Sequence, residues 1–169
     1  MKHLKTITIP PLTGERQIKS SNLFNYIDRV FNDCEIEIVK TEELKVDVLL
    51  LDENKIFGQI FTNPDKMCLT QDQILSFVEN DRELLSKNED TFFLFKNNNN
   101  FFVAHVRVRS DGLLVLRNRL DDSYGWYARY CHCVVVPQLA ETSMPRPECF
   151  DPLKLEIIYD NIKYKLIRE

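Results

Sequence analysis

The residues best equipped for chemistry cluster between positions 101 and 133. Phe101, His105, Arg107 and Arg109 occupy alternate positions of one apolar run, and Arg117 and Arg119 do so at the end of the next. Successive side chains of a strand point to opposite faces, so burying Phe102, Ala104, Val106 and Val108 turns Phe101, His105, Arg107 and Arg109 to the other side. Burying Leu114, Leu116 and Leu120 in the same way exposes Arg117 and Arg119. Across the turn at Ser110-Asp111-Gly112, four arginines are then expected to share one surface with a phenylalanine and a histidine, with Trp126 close by at the start of the following strand.

Residues 101–130 hold five arginines against three aspartates, a local excess of positive charge in a chain of net charge -4. Arginines beside rings on a sheet can hold single-stranded nucleic acid, with bases stacked on the rings and phosphates on the guanidinium groups. The same arrangement suits a phosphorylated or acidic protein partner. It is also what the solvated face of a half-buried sheet looks like, and no glycine-aromatic signature of an RNA-recognition strand pair accompanies it.

Cys131-His132-Cys133 is the second chemical feature. In a strand its thiols face one way and its imidazole the other, so the triplet does not converge on one metal, and no second ligand pair stands at a metal-knuckle spacing. A cysteine nucleophile is conceivable if His105 approaches Cys131 or Cys133, with Asp121 or Asp122 orienting the imidazole. Neither cysteine lies at a helix N-terminus or tight turn where a thiolate is usually stabilised. Phosphate-cradling glycine loops, nucleophile elbows, paired-histidine zinc helices and calcium loops are missing, and no metal, cofactor or catalytic set is expected.

These residues depend on a meander for their placement. Four strands are expected in succession across 91–137, at Phe92–Lys96, Phe101–Arg109, Leu113–Leu120 and Trp126–Val136, separated by turn-forming residues. Upstream, Leu4–Ile9, Glu35–Val39, Val46–Leu51 and Lys55–Thr62 read as strands, the last two joined as a hairpin. Leu23, Ile27, Val30, Phe31 and Cys34 recur at helical spacing and predict a helix over 22–33. Thr70-Gln71-Asp72-Gln73 predicts the start of a second helix through a capping box, with Ile74, Phe77, Val78 and Leu85 on its inner face. Four prolines between 137 and 152 mark a long loop, and alternation about Asp160-Asn161 predicts a terminal hairpin.

The chain has 169 residues, of which 44% are hydrophobic, which suits a single globular domain spanning 1–169. The expected fold class is α+β, mainly antiparallel sheet of about eight strands, with two amphipathic helices on one side. Five spread cysteines suggest reduced thiols. With no apolar leader or spanning segment in view, no membrane association and a cytoplasmic setting are expected, leaderless export remaining open.

The leading functional expectation is a non-enzymatic, protein-binding domain using the basic sheet face (Phe101, His105, Arg107, Arg109, Arg117, Arg119, Trp126) or the proline-rich loop Met144–Phe150. The first alternative is a nucleic-acid-binding module on that same face. The second is a cysteine enzyme using His105 with Cys131 or Cys133.

Overall fold

The computed structural model describes residues 1–35, 38–87, 89–138, 156–159 and 162–165. They fall in two compact units, Met1–Gln138 and Leu139–Glu169. The first holds β1 (Lys2–Ile9), β2 (Tyr26–Ile27), β3 (Leu44–Leu50), α1 (Phe57–Ile60), α2 (Pro64–Met67), α3 (Gln71–Asn80), β4 (Asp90–Asn97), β5 (Asn100–Arg109), β6 (Gly112–Arg119) and β7 (Cys133–Pro137). In the second, β8 (Glu156–Tyr159) and β9 (Ile162–Lys165) pair antiparallel, as the alternating pattern of those two runs predicts.

Seven strands make one sheet in the order β1-β3-β7-β4-β5-β6-β2. It is mixed: β7 runs parallel to β4, and β2 parallel to β6. Four of the six pairings are antiparallel, as expected, but two are parallel and the sheet has seven strands rather than about eight. The strand order also breaks the expected four-stranded meander, since only β4, β5 and β6 follow one another as neighbours. β7 instead inserts between β3 and β4, where both of its edges are paired. The continuously apolar Val134-Val135-Val136 suits a central position covered on both faces.

Both faces of the sheet are buried. On the first, Val46, Val48, Phe93, Phe95, Ala104 and Val106 pack with Phe31 and with Ile74 and Phe77 of α3. On the second, Phe92, Leu94, Val103, Val134 and Val136 meet Phe57, Ile60 and Phe61 of the α1 segment. α3 begins as its capping box predicts: Thr70 Oγ1 accepts from Gln73 N–H at 3.2 Å, and Gln73 Oε1 accepts from Thr70 N–H at 2.9 Å.

The helix expected over 22–33 does not form. Asn25 N–H donates to the Leu113 carbonyl at 2.7 Å and Asp28 N–H to the Val115 carbonyl at 3.0 Å, so Tyr26–Ile27 adds to the edge of β6. Asp28 then caps a 3-10 turn over Arg29–Asp33 by accepting from Val30 N–H. Pairing to a sheet edge and local aspartate capping outweigh a weak helical stripe. Gly112, at φ +130°, lies where any Cβ would run into the Asn25 side chain, so glycine is what allows this close approach.

The strand expected over 55–62 is instead α1. Phe57, Ile60 and Phe61, at helical spacing, are all buried, and Gln59 Oε1 accepts from Ile56 N–H at 3.1 Å. β3 therefore pairs with β1 and β7 rather than forming the expected hairpin. Of the expected strand at 35–39, residues 36 and 37 lie outside the described residues, and 38 and 39 are irregular. The β4–β5 turn puts Asn98 and Asn99 at φ 49° and 60°, the paired left-handed geometry that tight hairpins favour and asparagine tolerates.

Candidate interaction surface

β6 and β7 are parallel and separated by β5 and β4, so the chain between them must cross over the sheet. Residues 120–132 make that crossing on the second face. Trp126 pairs with Lys55 through two backbone hydrogen bonds of 3.0 and 2.8 Å, and Ala128 N–H donates to Asn54 Oδ1 at 3.0 Å. The segment is thus fixed at its middle rather than free.

Trp126 seals an aromatic cluster beneath the crossover. Its ring lies 4.7 Å from Phe92, 5.0 Å from His105, and 5.2 Å from both Phe57 and His132, centroid to centroid. The upper side is different: Tyr124, Tyr127 and Tyr130 are 59%, 45% and 40% exposed. Arg129 lies 5.3 and 4.7 Å over the rings of Tyr127 and Tyr130. An apolar underside and a tyrosine-arginine upper side occupy the same short stretch of chain.

The residues expected to form a basic face are placed separately. Cross-strand register puts Ala104 opposite Arg117 and Phe102 opposite Arg119, on the first face, but His105 opposite Leu116 and Arg107 opposite Leu114, on the second. The four arginines therefore divide between the two sides of the sheet. Arg107 is bound to the buried Asp90, with Nε to Oδ1 at 3.0 Å and Nη2 to Oδ2 at 2.6 Å. Arg117 covers the Phe102 ring at 4.4 Å and donates to Cys34 Sγ at 3.3 Å. Arg119 grips Asp121 through two hydrogen bonds of 2.8 and 3.0 Å. Arg109 is exposed at the far end of β5.

Phe101 and Arg119 both line a shallow depression of about 320 Å³, with Gly58 and Leu120. His105 is no surface residue. It is 2% exposed among rings, and burial pushes its imidazole down to about 4. Cys133 shares the first face with Thr91 and Val135, so the sheet separates it from His105, and burial raises its thiol. Cys131 is exposed and left-handed at φ 56°, its carbonyl accepting from Ser86 Oγ at 3.2 Å. The proline-rich loop Met144–Phe150 lies outside the described residues.

Sequence reasoning passed over Tyr124, Tyr127, Arg129 and Tyr130. The signal was present as four aromatics and an arginine within Tyr124–Tyr130, but a continuous strand read through 126–136 hid it. No protein family matches this chain, and neither a curated protein nor a solved structure is significantly similar to it. Among the described residues no helix is long and apolar enough to cross a membrane.

The buried histidine sets a pH dependence. Between pH 6.5 and about 4 the unfolded chain holds a proton at His105 that the folded protein does not, so stability falls as pH falls through that window. At about 1.4 kcal/mol per pH unit, the loss between pH 7.5 and pH 5 is on the order of 2 kcal/mol. His132 is shifted in the same direction, first by burial. Denaturant unfolding at both pH values should show the loss, and His105→Phe should reduce it, leaving the part that His132 contributes. An equal slope in that variant would remove His105 as its source.

Proposed function

We propose that this domain is a protein-binding module whose contact surface is the upper side of the crossover, formed by Tyr124, Tyr127, Arg129 and Tyr130. The observation that carries the reading is their joint exposure on a segment held from below by Trp126 and by its bonds to Lys55 and Asn54. Tyrosine and arginine are enriched among residues that dominate binding energy. Tyrosine offers a large, rigid, amphipathic area with few rotatable bonds. Anchoring the backbone beforehand reduces the ordering cost of association.

A nucleic-acid partner is less well supported. Asp121 and Asp122 belong to the crossover, Glu89 and Lys87 line a depression with Arg129 and Tyr130, and Arg119 is bound to Asp121, so the charges around the rings largely offset one another instead of presenting the cationic track that phosphates need. A photo-reactive phenylalanine analogue at position 127 is expected to cross-link a protein partner in cells of the source, and the same analogue at the exposed Tyr26 is not. Cross-linking to nucleic acid from position 127, or equal yields from both positions, would contradict the reading.

A further inference from the structure

Beside the crossover lies a group of side chains that the interaction surface does not use. Glu89, Asp90 and His132 each bring a ligating atom to within 4.8 Å of the others. Asp90 and His132 are 1% and 2% exposed, and Glu89 is half-buried. His132 Nδ1 is buried without a hydrogen-bond partner, an expensive state for a ring nitrogen. We propose that Glu89, Asp90 and His132 form a binding site for a divalent first-row transition ion.

The chemistry of the set fits such an ion. Two carboxylates and an imidazole, without a thiolate, suit Mn²⁺ or Zn²⁺. Arg107 occupies one lone pair on each Asp90 oxygen and leaves the others free, so it orients the carboxylate as an outer-sphere partner does. With Arg107 counted against the two carboxylates, one negative charge remains to meet the cation. Burial shifts the His132 imidazole toward its neutral form, the form that ligates.

Three protein ligands leave coordination positions open, as in metal sites that take a water or a further ligand. Glu89 also lines an open depression of about 400 Å³ with Ser86, Lys87, Arg129, Tyr130 and Cys131. Tyr130 and Cys131 directly precede His132, so a bound ion would also fasten the end of the crossover.

Titration calorimetry with Mn²⁺ and with Zn²⁺ tests the site on the full chain. The wild type is expected to bind one Mn²⁺, with paramagnetic broadening of the His132 ring signals. Glu89→Gln, at a half-exposed position, should keep its melting temperature without metal and lose affinity at least about tenfold, the least that losing even an outer-sphere partner costs. No uptake of either ion at millimolar concentration overturns the proposal. So does unchanged affinity in Glu89→Gln, which would place the ion elsewhere, for instance at His3 and Asp47, 3.3 Å apart.

Discussion

Replacing Arg107 by methionine is expected to destabilise the domain by about 3–5 kcal/mol, the usual cost of removing one partner from a buried ion pair. Asp90 is 1% exposed and sits opposite Arg107 in the β4–β5 register, both of its oxygens held by the guanidinium. Without Arg107 that carboxylate stays in the sheet with its countercharge gone. Adding Asp90→Asn removes the stranded charge and should restore a good part of the loss. Guanidinium unfolding gives the result as a shifted midpoint at unchanged slope. A loss below about 1 kcal/mol in the single variant would mean that water already screens the pair.

Phe57→Ala should cost a similar amount, about 3–5 kcal/mol, through lost burial and the cavity left behind. Phe57 is fully buried and touches Phe61, Phe92, His105 and Trp126, with ring centroids 5.2 to 6.5 Å away. The cavity opens directly beneath Trp126, the only tryptophan in the chain, so its emission should shift to the red as water reaches the ring. Phe31→Ala removes a fully buried ring stacked on Phe95 at 5.9 Å, on the other face. That variant should lose comparable stability and keep the native emission. Identical spectral changes in both would mean that the two cores are not independent.

The parts of this fold that could be read from sequence are those with a single local cause. Alternation marked β1, β5 and the β8–β9 hairpin, and Thr70 with Gln73 marked the start of α3. What could not be read rests on choices among equally apolar alternatives. Leu113-Leu114-Val115-Leu116 is apolar at both parities, so pattern alone does not say which pair shares a face with Ala104 and Val106. The register selects Leu113 and Val115, and that one-residue difference carries Arg117 and Arg119 to the opposite side from Arg107.

The crossover was hidden for a related reason. Nothing in Trp126–Val136 states that Val134 will pair with Leu49 and Phe92, residues far earlier in the chain. Once β7 is placed between β3 and β4, the preceding segment must span the sheet. Its tyrosines and Arg129 then become a surface instead of strand residues. A composition rich in tyrosine, tryptophan and arginine is the available clue, since these residue types are enriched where binding energy concentrates.

Under the proposed function the upper side of the crossover serves binding and not folding. Replacing Tyr124, Tyr127 and Tyr130 together by serine separates the two, because all three rings are substantially exposed while Trp126 stays in place. Unfolding of this triple variant is to be measured beside its yield of partner cross-linked from an analogue at Ala128. Stability within about 1 kcal/mol of the wild type, as expected of exposed positions, together with loss of the cross-linked partner, is the predicted result. Undiminished cross-linking, or unfolding of the domain, would contradict the account.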